Sequence, residues 1–318
     1  MRHAMPKQIL INWLILSILG LIWGASFFGV ELALRDFKPI SVAAGRVTIA
    51  AIILLGITLS FGEQLPKFHS KIGRRIWCHC IGMGVFTNAL PFSLLSWGQQ
   101  MVTSSFAGLC MAIVPLIVLP LSHFFVPGES LTKIKVLGFS VGFFGVFLLF
   151  SGNKFISDSG SSLQMLGSQF ACIVASLCYA IGSIITRLCP PVGTLPYATS
   201  GLLVGAIILL PLAILLEETP MKPQEIALAG LFYLSVFPTA IATLLLTALI
   251  RRAGPPFLSL VNYQVPIWAM IIGVFILDEN LPSHFFIALG IILFGLFLSQ
   301  SSQLVATAQL LFNNNLRK

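Results

Sequence analysis

The sequence predicts an all-α membrane protein, ten transmembrane helices laid out as two inverted five-helix repeats. Three observations carry that prediction. The 318 residues are 57% hydrophobic and 9% charged, with a mean hydropathy of +0.98, whereas about a quarter of the residues of a soluble domain are charged. Apolar runs of about 20 residues, the length that crosses roughly 30 Å of hydrocarbon, occur ten times. Finally, the segment 111–150 returns as 262–299, with Pro115 answering to Pro266, Glu129 to Glu279 and Gly145 to Gly295.

The runs fall at 9–30, 39–61, 75–97, 103–126 and 133–151, then at 163–187, 195–216, 226–249, 255–277 and 283–302. The first follows Arg2 and Lys7 as a secretory signal would, but it is too long and lacks a small-x-small cleavage site, so it reads as a retained span. Pro115 and Pro266 stand near the middle of the fourth and ninth runs. Each removes a backbone donor and leaves a carbonyl, at Met111 or Asn262, that must find protein, water or ligand. The fifth and tenth runs follow acidic corners, where Glu129 with Ser130 and Glu279 with Asn280 read as caps for the last helix of each half. The halves are therefore 9–151 and 163–302. A polar tail, 303–318, is expected to fray.

Five crossings is an odd number, so the second copy enters the membrane from the opposite side. Lysine and arginine set the orientation: thirteen of the 18 fall on one side if the N-terminus is cytoplasmic, against Arg35, Lys38, Lys154 and Lys222 on the other. Both termini are thus expected in the cytoplasm. The net charge of +8 follows from this loop asymmetry and not from a nucleic-acid footprint. The six cysteines form no CxxC pair, the five histidines show no i, i+4 spacing, and neither metal nor cofactor is expected. The small-residue pairs Gly20/Gly24, Gly138/Gly142 and Gly201/Gly205 read as helix contacts.

Trp23-Gly24-Ala25-Ser26-Phe27 in span 1, PISVAAGR ending at Arg46 in span 2, and the proline, acidic-corner and glycine series of each half resemble the drug/metabolite transporter superfamily, specifically its ten-span EamA type. The resemblance covers nearly the whole chain. It implies a fold in which spans 1–4 and 6–9 surround a substrate cavity while spans 5 and 10 stand at the periphery. It also implies export of amino acids, drugs or other metabolites, with cofactor import in related groups. Small four-span relatives use a carboxylate inside the first span for proton coupling; here span 1 offers none before Glu31.

Candidate substrate contacts follow from polarity at depth. Arg46 is the one charged side chain well inside a run, where an arginine costs at least about 2.5–3.5 kcal/mol unless paired or facing a cavity. It is expected either to pair with Glu31 or Asp36 or to meet substrate. Trp23, far from either interface, needs an indole partner inside the bundle. Asn262, Tyr263 and Gln264 precede Pro266 where the first half has Met111, Ala112 and Ile113, and Asn88 and Tyr179 are lone polar candidates. Pro115 and Pro266 are the candidate hinges. Gln99 and Gln100 are expected to be solvated.

The function expected is a secondary-active or facilitative transporter that exports a small metabolite by alternating access between inverted halves. A metabolite or cofactor importer of the same fold is the alternative, and an intramembrane enzyme or a channel belongs to other classes. No GxxxxGK[ST] occurs. The partners expected are a lipid bilayer, specifically a bacterial inner membrane, and a small-molecule substrate, with no nucleic acid and with the chain as monomer or homodimer.

Overall fold

Apolar runs separated by short polar turns fold into helical rods in the computed structural model, which describes residues 7–128, 131–151, 162–218, 220–253, 258 and 260–316. The rods are α1 (Lys7–Gly24, continued as Ser26–Ala33), α2 (Pro39–Ser60), α3 (Lys71–Met83 and Leu90–Gly98), α4 (Ser104–Cys110 and Val114–Phe125) and α5 (Lys133–Ser151). They are followed by α6 (Ser162–Arg187), α7 (Thr194–Leu216), α8 (Glu225–Ser235 and Ala242–Ala253), α9 (Val261–Ile276) and α10 (Ser283–Leu316). No strand occurs among the described residues. Seven rods, or parts of them, are long and apolar enough to cross a membrane. Val261–Ile276 and Ser283–Ser299 are shorter apolar helices.

Most ends fall close to the expected runs, with three differences. The ninth rod begins at Val261, and residues 254–257 and 259 lie outside the described chain. Residues 303–316, expected to fray, continue α10 as helix. Glu129 and Ser130, one of the two expected corner caps, lie outside the described residues. The other corner is built, yet it caps a different helix. The Glu279 carboxylate accepts from the Ser104 and Ser105 backbone N–H groups at 2.7 and 3.1 Å, closing the start of α4 and not that of α10. Tertiary proximity, which a linear pattern does not encode, decides which helix start the carboxylate meets.

Prolines explain how the rods are broken. In α4, Pro115 cannot donate to Met111, and a 3₁₀ turn at Met111–Ile113 lets Val114 N–H take that carbonyl instead. In α3 a π turn, Gly84–Ala89, precedes Pro91; in α8 a second π turn, Val236–Ile241, contains Pro238. Pro238 leaves the Leu234 carbonyl without its helical donor, and the Thr239 hydroxyl fills that place at 2.8 Å. Pro266 is accommodated within α9.

The rods pack in a definite set of pairs. α2 lies along α7, α4 along α9 and α5 along α10; α1 meets α8 and α9, α6 meets α3 and α4, α2 meets α8, and α7 meets α3. Glycines permit the closest approaches. A Cβ on Gly138 would collide with the Ser299 backbone on α10, and one on Gly24 with Trp268 on α9. Gly20/Gly24, Gly138/Gly142 and Gly201/Gly205 all meet neighbours within the chain. One apolar cluster, with Leu16, Phe106, Ile113 and Phe285, joins α1, α4 and α10, while Val47, Leu54, Leu202 and Leu209 form a second between α2 and α7. Phe124, Phe147, Phe170, Leu215, Phe275 and Phe294 point outward as an exposed apolar surface suited to lipid.

Candidate functional site: a central cavity

Between the two apolar clusters lies a cavity of about 420 Å³, within the range of small-molecule sites. Every rod from α1 to α4 and from α6 to α9 contributes lining residues, and none comes from α5 or α10. The cavity runs from Val30 and Gln99, near one end of the bundle, to Thr186 and Thr194, where α6 hands over to α7. Its walls are mainly aliphatic and aromatic, with polar groups at a few places.

Arg46, 6% exposed, is the one charged residue on that lining among the described residues. Eight residues into α2, it stands roughly 10 Å below the helix start at 1.5 Å per residue. Its Nε donates to Thr239 Oγ1 at 2.8 Å, and its guanidinium carbon lies 3.8 Å from the Phe92 ring centroid, a cation–π contact. Thr239 can accept this bond because its own proton is directed at Leu234. The break at Pro238 therefore orients the hydroxyl that holds Arg46. The alternative partners expected for Arg46 are engaged elsewhere or not in contact. Asp36 accepts from the Gln224 backbone N–H at 2.5 Å, and Arg46 forms no ion pair with Glu31 or any other described carboxylate.

The other candidates divide clearly. Trp23, Asn88, Tyr179 and Asn262 line the same cavity as Arg46. Asn88 is buried in the α3 π turn, where its Nδ2 reaches the Met83 carbonyl at 3.4 Å, and Tyr179 meets Phe92 edge to face at 6.3 Å. Tyr263 and Gln264 are not on the lining. The Tyr263 hydroxyl is buried, and Gln264 packs on Gly20 of α1. Pro115 and Pro266 are buried in α4 and α9 behind the cavity wall.

Among the lining residues that the sequence reading did not single out, three fix the cavity's polar contacts. Phe92 looks like any apolar span residue. Thr239 carried a usable signal, a hydroxyl directly after a proline inside a span. Gln99, expected in water, is 4% exposed; its Nε2 donates to the Phe27 carbonyl at 2.9 Å because the chain turns back under α1 there.

A bundle of apolar helices long enough to cross a membrane, enclosing a largely apolar cavity with one charged residue on its described lining, is the architecture of a multi-pass membrane protein with a small-molecule site. The particular family follows from sequence. A model of the EamA-like transporter family matches residues 11–151 and 166–300, and the chain belongs to that family. It is 26% identical to the inner membrane transporter YedA of Escherichia coli (strain K12) over 294 residues, covering 92% of this chain and 91% of that one. It is also 25% identical over 283 residues, 86% of each, to the S-adenosylmethionine/S-adenosylhomocysteine transporter of Chlamydia muridarum (strain MoPn / Nigg). A crystal structure at 19% identity superposes with a TM-score of 0.66 over 91% of this chain and 96% of its own, a likeness of fold. The family and these named relatives are transporters, not enzymes.

Proposed function

We propose that the chain is a secondary-active or facilitative transporter that moves a small metabolite out of the cell by alternating access. Ten crossings form two inverted halves, 9–151 and 163–302, in a bacterial inner membrane with both termini in the cytoplasm. The polar tail 303–318 stays on the cytoplasmic side. The substrate sits in the central cavity against Trp23, Arg46, Asn88, Tyr179 and Asn262, and the breaks at Pro115 and Pro266 serve as hinges.

The observation that carries this reading is the pattern of rod pairs. Exchanging every rod for the one five places along the chain maps the principal pairs onto one another: α1 with α8 becomes α6 with α3, α1 with α9 becomes α6 with α4, and α2 with α8 becomes α7 with α3. The pairs α2–α7, α4–α9 and α5–α10 map onto themselves. Such interchangeability lets each half take the other's conformation, and so lets a central site open to either side.

The test is uptake of labelled metabolites into proteoliposomes of the purified chain, with and without a pH gradient. S-adenosylmethionine and S-adenosylhomocysteine, the compounds named for the Chlamydia relative, belong with the amino acids in the first set. Saturable flux that falls in Trp23→Ala supports the reading. Turnover of a compound without its movement, or flux that grows linearly without saturation, refutes it.

A further inference from the structure

Arg46 is held on one edge and one face only. Nε has Thr239 and the ring of Phe92 covers one side of the plane, but neither Nη nitrogen has a hydrogen-bond partner among the described residues. Neither is sealed in protein, because neither is among the fully enclosed unpartnered atoms, so both keep access to the cavity. The guanidinium remains charged under any ordinary condition. Elsewhere along the cavity wall the described residues supply no carboxylate and no second cation.

The two halves differ at this point. Arg46 follows Gly45 in α2, and Leu202 follows Gly201 in α7; both line the cavity, so the charge belongs to one half alone. A lone cation at membrane depth is costly. A guest that brings a negative charge to the open Nη edge removes that cost and forms two parallel N–H···O bonds, the arrangement in which arginine binds carboxylates best.

We propose that the site takes small organic anions, or zwitterions through their carboxylate, with the carboxylate on the Arg46 Nη edge and an apolar body against Trp23 and Tyr179. Cations that lack a carboxylate are excluded by the same charge. With either class of guest the carboxylate offsets the guanidinium, so the step that carries the guest across the membrane moves no uncompensated arginine; with a monoanion the loaded site is neutral, and with a zwitterion it keeps only the guest's ammonium charge. Thr239 acts as a positioning residue, fixing which edge of the guanidinium is free. This inference rests on the proposed transport function and names its substrate class.

The test uses the purified full-length chain in detergent and reads thermal stabilisation by benzoate, phenylacetate, hexanoate and L-phenylalanine, each against its own carboxamide. At least one acid is expected to bind about tenfold or more tightly than its amide, the scale of a charged hydrogen-bonded pair. That preference disappears in Arg46→Gln and is kept in part by Arg46→Lys. The melting temperature of each unliganded variant shows whether it is folded, and Arg46→Lys retains the charge should Arg46→Gln fail. Amides binding as well as acids, an acid preference that persists in Arg46→Gln, or the absence of binding by every acid in the set overturns the inference. An acid that binds but does not cross proteoliposomes leaves this site standing and refutes transport instead.

Discussion

The two ends of the bundle are built differently. At one end, three carboxylates reach across from one half of the chain to a helix start in the other. Asp36 takes the N–H of Gln224 at the start of α8, Glu217 takes those of Ile40 and Ser41 at the start of α2, and Glu279 takes those of Ser104 and Ser105 at the start of α4. At the other end, the links between the halves use no carboxylate: Arg252 Nε donates to Asn12 Oδ1 at 3.0 Å, the Thr58 and Thr199 hydroxyls are bonded at 2.8 Å, and the Tyr197 hydroxyl makes a long contact to the His79 carbonyl at 3.4 Å. Glu63, which follows the end of α2 as Glu217 follows that of α7, accepts no hydrogen bond through its side chain among the described residues, although its carboxylate sits close enough to Gly193, beside the start of α7, that an added Cβ there would meet Oε2 at 3.3 Å.

Helix starts carry unpaired N–H groups and a partial positive charge, so a carboxylate from a neighbouring rod makes a strong and reversible latch there. The comparison teaches that the halves are latched by carboxylates on helix starts at one end, and joined by hydroxyl and amide side chains at the end where the cavity reaches Thr186 and Thr194. In the proposed orientation the carboxylate-latched end faces outward and the other end faces the cytoplasm; under the proposed alternating access, the helix start beside Glu63 is the counterpart latch for the opposite state.

The largest expected effect concerns which end is which. Met221 is almost fully exposed beside the latched end, and Ser70 is exposed at the other. A cysteine at Met221 reacts with an impermeant thiol reagent added outside intact cells, and one at Ser70 does not; the reverse pattern inverts the orientation. Next comes Glu279→Ala. It strips two bonds from the buried Ser104 and Ser105 and is expected to cost about 3 kcal/mol in a denaturation experiment in detergent. Glu217→Ala, whose partners lie nearer the rim, costs about 2 kcal/mol. Asp36→Ala breaks an exposed pair and costs under about 1 kcal/mol. Glu63→Ala leaves stability within about 0.5 kcal/mol. Equal costs at Glu63 and Glu279 would abolish the contrast between the ends.

Much of the scaffold could be read from the chain. Hydropathy located the rods to within a few residues, and comparing the copies singled out Pro115, Pro266 and the acidic corners. Arg46, Trp23, Asn88, Tyr179 and Asn262 were picked out by polarity at depth, and they share one cavity. What stayed hidden depends on contacts between rods. The π turns at Gly84–Ala89 and Val236–Ile241 shift which side chains face inward, so helical periodicity misplaces the residues beyond them. Thr239 meets Arg46 across 193 positions of sequence, and Glu279 finds α4 across 175. The polarity that marked Tyr263 and Gln264 could not tell a cavity wall from a rod interface.

The most direct test is the accessibility of Val30, which lines the cavity near the latched end and is 4% exposed. A cysteine there, in a background whose native cysteines are replaced, is expected to be silent to an impermeant thiol reagent added outside resting cells. It should react when a transported substrate turns over, or when Glu279→Ala opens the latch. Reaction at rest as fast as that of a cysteine at Met221, or continued silence with the latch removed, would contradict a cavity sealed from the outside by carboxylates that let go.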